Sequence, residues 1–234
     1  MVSAIIVAAG SSRRMGFDKL FAPLDGKPVL WHSVKAFSEV KEVHEILIVT
    51  KEDGMDEVEK LVSDEKLQKV TKVISGGEER HISVWNGLQA VNSIGSEYVA
   101  IHDGARPLTT PKLIRACLEL AEIHGAACCA SQIPDTMKRA SIEQMVTESV
   151  ERTGLWAMQT PQIFSSGLIL QAYSALMANH EMVTDEVSAV QKLGKKIALL
   201  KNDDWNFKIT FPHDLELAEH VLELRAKKKA KAKK

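Results

Sequence analysis

Residues 4–19 have the sequence AIIVAAGSSRRMGFDK, in which a short apolar run leads directly into a loop of small residues. The run is rich in β-branched residues and predicts a buried strand of an α/β fold. The loop contains Gly10 and three cations, Arg13, Arg14 and Lys19. Small residues let the backbone approach a phosphate chain, and the exposed N–H groups of such a turn bind anions. Because ligands of open α/β sheets bind beyond the carboxyl ends of strands, we predict a polyphosphate clamp at this loop.

The spacing of this loop argues against two common nucleotide-binding motifs. Five residues separate Gly10 from Gly16, and Phe17 stands where a Walker A motif requires lysine. The loop also lacks the GxGxxG spacing of dinucleotide-binding folds. The residues therefore favour a phosphate site, but neither a P-loop ATPase nor a nicotinamide enzyme.

The composition is that of an ordinary globular protein, with 45% hydrophobic and 26% charged residues among 234. The sequence contains no run of 18 apolar residues, so we expect no membrane span and a cytoplasmic location. The three cysteines show no CxxC spacing and are expected to be reduced core residues. The eight histidines show no HExxH motif, which argues against a zinc enzyme.

Strand and helix patterns alternate along the chain and predict a doubly wound, mostly parallel, Rossmann-like sheet. The predicted strands are residues 4–8, 45–50, 69–74, 98–102, 125–133, 196–201 and 206–210. The predicted helices are residues 28–37, 111–124, 165–177, 185–193 and 212–224.

Two segments depart from this alternation. Residues 134–154 are mostly polar, and we interpret them as a protruding β-arm, with a long surface loop as the alternative. Residues 225–234 contain seven lysines and arginines, which leaves the rest of the chain acidic. The rest of the chain has no basic stripe with interleaved aromatic residues, so we expect no nucleic-acid partner. We predict one domain over residues 1–224, with the arm inserted, and a disordered tail or fraying helix extension of little effect on turnover.

The sequence AAGSSRRMGFDKLF at residues 8–21 resembles the signature of the sugar-nucleotidyltransferase superfamily. Later motifs narrow the resemblance to the 2-C-methyl-D-erythritol 4-phosphate cytidylyltransferase family, an enzyme family of non-mevalonate isoprenoid synthesis. These motifs are SGGEERHISV at 75–84, HDGARP at 102–107, DTMKR at 135–139, TPQ at 160–162, VTDE at 183–186 and FKIT at 207–210. They occur in the family's order, and the similarity spans residues 4 to about 220.

The resemblance implies a reaction in which CTP donates its cytidylyl group to methylerythritol phosphate and releases pyrophosphate. It implies that Arg14 and Lys19 stabilise the transition state, and that Arg152 and Lys208 position the incoming phosphate. The implied substrate-binding residues are Ala8, Ala9, Gly10, Ser11, Gly77, Ser83, Asp103, Ala105, Arg106, Thr136, Thr160 and Thr184. Mg²⁺ would be held mainly by the CTP phosphates, without a certain protein ligand.

The resemblance also implies a homodimer in which the arm reaches across the two-fold axis, so that Arg106 and Thr136 serve the partner's site. Some roles remain open on the residues alone. Asp103 could bind a substrate hydroxyl or approach the metal, and Thr184 could instead cap a helix. Arg152 could simply form a surface ion pair with Glu148 or Glu151.

Three other functions compete with this assignment. Ribitol-5-phosphate cytidylyltransferase shares the chemistry, but the Ala8-Ala9-Gly10 loop, without a Gly-Gly pair, favours methylerythritol phosphate. The MGFDKL sequence at 15–20 resembles a molybdopterin-type cytidylyltransferase, which the HDGAR and TPQ motifs argue against. A catalytically silent nucleotide-binding protein of the same fold is disfavoured because the four catalytic cations are intact.

Overall fold

A seven-stranded sheet with helices on both faces forms the centre of the computed structural model, which describes residues 1–10, 15–92 and 95–232. The strands are β1 (Val2–Val7), β2 (Pro23–Leu24), β3 (Lys27–Pro28), β4 (Val43–Thr50), β5 (Val70–Ser75), β6 (Tyr98–Asp103), β7 (Ala126–Gln132), β8 (Met137–Ala140), β9 (Val146–Val150), β10 (Trp156–Ser165) and β11 (Ala198–Lys201). The α-helices are α1 (Val29–Ser38), α2 (Met55–Asp64), α3 (Arg80–Ala90), α4 (Pro111–His124), α5 (Ser166–Ala178), α6 (Glu186–Lys192) and α7 (His213–Ala232). A short 3-10 helix covers Glu52–Gly54.

The strand order of the main sheet is β11-β7-β10-β6-β1-β4-β5. All neighbouring pairs are parallel except those of β10, which runs antiparallel to both β6 and β7. This confirms the predicted mostly parallel, doubly wound sheet. After β1 the chain adds β4 and β5 on one side and then returns to place β6 on the other. The loops that follow β1 and β6 therefore flank the crevice at which such sheets bind ligands.

The apolar strands are buried on both faces of the sheet. Ile6 of β1 packs on the face covered by α1, α2 and α4, whereas its neighbour Ile5 packs on the face covered by α3, α5 and α6. Successive side chains of a strand point to opposite faces, so a strand covered on both sides has to be apolar throughout. A smaller third cluster joins α7 to the short strand β2 through Val221 and Leu24.

The structure corrects the predicted strands at two places. Residues 206–210, predicted as a strand, form no regular element, although the Ile209 N–H donates to the Ala105 carbonyl at 2.8 Å. Strand β10 was missed because Pro161 and two flanking polar residues argue against a central strand. A register shift between Met158 and Gln162 accommodates the proline in the ladder.

All five predicted helices are present, and α2 and α3 are additions that were not among the predicted helices. Helix α7 continues beyond residue 224 to Ala232, so the described part of the basic run extends the last helix instead of forming a disordered tail. Arg225, the first residue of that run, is anchored because its guanidinium donates to the Leu108 carbonyl at 2.7 Å. Among the described helices, none is long and apolar enough to cross a membrane.

The segment at 134–154 contains an antiparallel hairpin of β8 and β9, which confirms a β-arm over an irregular loop. Almost all of its side chains are exposed, including the apolar residues Ile142, Met145 and Val146. The hairpin therefore has no core of its own to stabilise it.

We expect Ile6→Ala to lower the free energy of unfolding by about 2–5 kcal/mol, because the cavity it leaves at the centre of the sheet cannot close fully. Ile6 is fully buried, whereas Ile123 on α4 is 74% exposed. Urea unfolding followed by circular dichroism measures both variants. Ile123→Ala is the matched control and should change the free energy of unfolding by less than about 0.5 kcal/mol. Equal losses in the two variants would contradict the central placement of β1.

Candidate active site

A cavity of about 530 Å³ lies beyond the carboxyl ends of β1, β5 and β6. Nine of the residues predicted for the site contribute to its lining: Ala8, Ala9, Gly10, Lys19, Gly77, Ser83, Asp103, Ala105 and Lys208. The lining also includes seven residues to which the sequence analysis assigned no role: Val7, Met15, Leu20, Glu78, Glu79, Arg80 and Thr210. The cavity therefore occupies the edge of the sheet at which the polyphosphate clamp was predicted. Arg14 and Ser11, the other predicted residues of the loop, lie outside the described residues.

The loops after β1 and β5 pack against each other closely enough to require glycine. A Cβ atom on Gly76 would lie 2.7 Å from the Ala9 Cβ and 2.7 Å from the Ser83 Oγ. The buried Ser83 hydroxyl accepts a hydrogen bond from the Gly77 N–H at 3.1 Å. Ser83 thus fixes the glycine pair against the first loop, which brings both stretches of backbone to the cavity.

The carboxylate of Asp103 lies at the centre of the charged residues and is 9% exposed. Its Oδ1 accepts from the Arg80 guanidinium at 3.2 Å, and its Oδ2 lies 3.1 Å from the Lys208 ammonium and 3.3 Å from Arg106 Nε. Burial alone would raise the pKa of Asp103, but the charges of Arg80, Lys208 and Arg106 outweigh burial and hold that pKa well below its ordinary value. Asp103 is therefore ionised and pairs with three cations from separate parts of the chain.

Arg80 joins Asp103 to a second carboxylate, that of Glu186 at the start of α6. Its Nη1 donates to Glu186 Oε1 at 2.5 Å, and its Nη2 donates to Glu186 Oε2 at 3.2 Å. The Tyr173 hydroxyl also donates to Glu186 Oε1, at 3.1 Å. Burial by itself would lower the pKa of Arg80, but the charges of Glu186 and Asp103 raise it above its ordinary value. The guanidinium is thus a permanent cation between two carboxylates.

A chain of hydrogen bonds behind the cavity fixes the end of β6. The Thr160 hydroxyl accepts from the Asp103 N–H at 3.1 Å and lies 2.9 Å from His102 Nδ1, while His102 Nε2 lies 3.3 Å from the Arg106 carbonyl. Since a carbonyl can only accept, His102 carries its proton on Nε2, and its Nδ1 accepts from Thr160. Thr160 was predicted to contact the substrate, but it is buried and both functions of its hydroxyl are engaged. Thr160 therefore supports β6 and does not face the cavity.

The segment at residues 202–209, which we call the strap, carries Lys208 and contacts Lys19. The Lys19 ammonium donates to the carbonyl of Ile209 at 2.9 Å, next to Lys208. The strap is held to the sheet by the buried Asn206, whose side-chain amide donates to the Thr160 carbonyl at 2.8 Å. Two lysines that are far apart in sequence are thereby brought to one side of the cavity.

Arg106 does not line the cavity, although it belongs to the cluster around Asp103. Its Nη1 donates to the carbonyl of Asn206 in the strap at 2.7 Å. The sequence analysis predicted that Arg106 serves a partner's site. Within its own chain, the Arg106 guanidinium contacts Asp103 and the strap.

Three other predicted residues also lie outside the cavity lining. Thr136 and Arg152 are exposed on the arm, where Arg152 donates to the carbonyl of Pro134 and closes the base of the hairpin. Of its proposed acidic partners, Glu148 pairs with Arg139, and Glu151 accepts from Thr153, so neither forms an observed ion pair with the Arg152 guanidinium. Thr184 is exposed, and Asp185 caps α6 in its place.

Arg80 is the main charged residue of the cavity that the sequence analysis did not single out. It lies within the SGGEERHISV motif, three residues after Gly77, and this position is the one local signal for it. Its partners Asp103 and Glu186 are 23 and 106 residues away in sequence. Their convergence on one guanidinium is a property of the fold.

A glycine-containing loop after the first strand, with lysine side chains beside it at the ligand crevice of a doubly wound sheet, defines the class of α/β proteins that bind phosphate-containing ligands. A family model described as IspD: 2-C-methyl-D-erythritol 4-phosphate cytidylyltransferase matches residues 2–224. The chain belongs to this family. The match includes every strand of the sheet and every predicted site residue.

Named relatives extend over nearly the whole chain. A 2-C-methyl-D-erythritol 4-phosphate cytidylyltransferase of Caldanaerobacter subterraneus subsp. tengcongensis is 39% identical over 224 residues, 94% of this chain and 98% of the relative. A Bacillus mycoides protein of the same name is 40% identical over 230 residues, 97% of this chain and 100% of the relative. The crystal structure of 4-diphosphocytidyl-2C-methyl-D-erythritolsynthase from Anaerococcus prevotii matches with a TM-score of 0.82 at 28% identity, over 95% of this chain and 98% of that chain.

Stability should depend on pH through His102. Burial lowers its pKa to about 3, against the opposing charge of Asp103. A histidine in the unfolded chain has a pKa of about 6.5. As the pH falls from there toward about 3, the unfolded chain binds a proton that the native state does not, and the free energy of unfolding falls.

We therefore expect His102→Gln to flatten this dependence, because the side-chain amide can still donate to the Arg106 carbonyl but does not titrate. Urea unfolding of both proteins between pH 7 and pH 4 measures the difference, which should shrink as the pH falls. A difference that is constant over this range would show that His102 is protonated equally in the folded and unfolded states.

Proposed function

We propose that this chain transfers the cytidylyl group of CTP to the 4-phosphate of 2-C-methyl-D-erythritol 4-phosphate and releases pyrophosphate. An oxygen of the 4-phosphate forms a bond to the α-phosphorus of CTP, and the bond from that phosphorus to the oxygen leading to the β-phosphate breaks. The observation that carries the proposal is the family match over residues 2–224, which includes the whole cavity.

The nucleophile of this reaction needs no strong general base. A phosphate monoester has a second pKa of about 6 and is already largely a dianion at neutral pH. The protein has instead to bring two anions together and to stabilise the charge that develops at the α-phosphate. Lys19 and Lys208, both at the cavity, are suited to these two tasks.

We assign the parts of the cavity by the side chains and backbone that line it. The backbone of Ala8–Gly10 follows β1 and would contact the phosphates of CTP, with Lys19 on the reacting phosphate. The family resemblance assigns the same phosphate to Arg14, which lies outside the described residues. The glycine turn at 76–77, held by Ser83, offers backbone groups to the cytosine and ribose. Lys208, which Asp103 pairs with, would receive the phosphate of the acceptor.

We propose that the reaction also requires a divalent metal ion, Mg²⁺. The described residues contain no group of three His, Cys, Asp or Glu side chains that could hold a metal ion. The lining does include the carboxylates of Glu78, Glu79 and Asp103, and Asp103 is paired with cations. Mg²⁺ usually keeps several waters and is bound by one or two carboxylates together with substrate phosphates. This donor set fits an ion carried mainly by CTP, where it would neutralise part of the phosphate charge.

We also propose a homodimer that assembles through the arm. The hairpin of β8 and β9 exposes Ile142, Met145 and Val146 to solvent at 95%, 68% and 67%. A two-stranded hairpin is marginally stable by itself in water, so a second surface would have to cover these side chains. The matching arm of another copy of this chain offers the same apolar residues around a two-fold axis.

The nucleotide and the acceptor are tested together by pyrophosphate release. We expect turnover with CTP and methylerythritol phosphate in the presence of Mg²⁺, and much slower release with ATP, GTP or ribitol 5-phosphate. Omission of the acceptor is the control for simple CTP hydrolysis. Faster release with ribitol 5-phosphate would replace the proposed acceptor, and binding of CTP without release would identify a silent nucleotide-binding protein.

We further propose that each active site combines residues of both subunits, and this is tested by mixing two variants. Lys19→Ala should lower kcat by about 10²–10³-fold if Lys19 stabilises the transition state, and Thr136→Ala should also lose activity if the arm supplies Thr136 to the partner's site. After subunits exchange, each mixed dimer then holds one intact site, and an appreciable fraction of activity returns.

Each variant mixed with itself is the control and should stay inactive. If fluorescence energy transfer between labelled subunits shows that exchange has occurred and activity does not return, each site is built from a single chain. A monomer in sedimentation at the assay concentration would also contradict the proposal.

A further inference from the structure

Glu186 is a fully buried carboxylate that does not line the cavity and to which the proposed reaction gives no task. It starts α6, two residues after Thr184, and accepts hydrogen bonds from the Arg80 guanidinium and from the Tyr173 hydroxyl. Tyr173 is itself fully buried on α5. Glu186 is therefore held from the side away from the cavity and contacts the site through Arg80.

A buried ion pair such as that of Arg80 and Glu186 contributes little net stability to a fold. Removing a carboxylate from water costs several kcal/mol, and the attraction to one buried partner roughly offsets that cost. Replacement of a whole buried ion pair by apolar residues of similar volume is often neutral or stabilising, so stability alone does not account for the pair. The charge at residue 186 is explained better by what it does to Arg80.

Arg80 transmits the position of Glu186 to the cavity. Its guanidinium donates from Nη1 and Nη2 to both oxygens of Glu186, and from Nε and Nη2 to Oδ1 of Asp103 at 3.3 and 3.2 Å. The other oxygen of Asp103 lies 3.1 Å from the Lys208 ammonium. The planar Arg80 guanidinium is hydrogen-bonded along two edges and can rotate little. It therefore sets the orientation of the Asp103 carboxylate.

We infer that Glu186 is a positioning residue, which acts through Arg80 and Asp103 to place the Lys208 ammonium for the acceptor phosphate. The inference rests on the proposed function for the role of Lys208. A small misplacement of a positioned group can cost about 10²-fold in rate, so a residue that touches neither substrate can still control turnover.

The test begins with Glu186→Gln, which keeps the shape and one acceptor oxygen but removes the charge and the second acceptor. We expect kcat/KM for the acceptor to fall about 10-fold or more, while KM for CTP changes little. Tyr173→Phe leaves the carboxylate in place and should cause a smaller loss in the same parameter. Val190→Ala is the matched control, because Val190 is fully buried on α6 without a part in the ion pairs. An equal loss of turnover in Val190→Ala would show that the effect follows from stability alone.

A double-mutant cycle identifies the route of the effect. If Glu186 acts through Lys208, then Glu186→Gln should cost almost nothing further in the Lys208→Ala background. Losses that add fully in the double variant would overturn the inference.

A crystal structure of Glu186→Gln tests the inference independently of activity. We expect the Asp103 carboxylate and the Lys208 ammonium to move relative to wild type, and unmoved groups would overturn the inference. A wild-type chain that releases no pyrophosphate would instead contradict the proposed function, while the positions of Asp103 and Lys208 would still decide the role of Glu186.

Discussion

The carboxylate of Asp103 is buried at the carboxyl end of β6, and three cations from separate parts of the chain pair with it. Arg80 comes from the start of α3, Arg106 from the loop after β6 and Lys208 from the strap. A buried carboxylate without partners would be protonated or would destabilise the fold, so these cations are drawn to one point. Their mutual repulsion is in turn reduced by the charge between them. The shape of the cavity depends on this interaction.

The pairing of cations with Asp103 also helps to hold the strap in place. The strap is not part of the sheet, and side chains fix it: Asn206 binds the sheet, Arg106 binds its backbone and Lys208 pairs with Asp103. Lys19 then reaches the strap from the loop after β1. Cations that would repel each other in isolation are held in place before any substrate arrives. Such preorganisation lets an enzyme stabilise developing charge without rearranging its own dipoles during the reaction.

The central sheet and the arm are stabilised in different ways. The sheet is stabilised by apolar strands that are buried on both faces. The arm exposes apolar side chains and has only its own hairpin ladder, so its position relative to a site is a matter of assembly. Most predicted residues at the sheet edge accordingly line the cavity, whereas Thr136 and Arg152 on the arm do not.

The sequence by itself determined the position of the first strand, the phosphate loop, the general order of strands and helices, and the family. These are local properties: a continuous apolar run identifies a doubly covered strand, and a motif identifies a loop by its own residues. Only the tertiary structure decided the antiparallel direction of β10, the buried role of Thr160 and the strap in place of a last strand. The pairing of Arg80 with Asp103 and Glu186 belongs with these, because its partners are distant in sequence and charged side chains carry no periodic signal. Such contacts form only when the helices and strands pack together, so no single segment of the sequence predicts them.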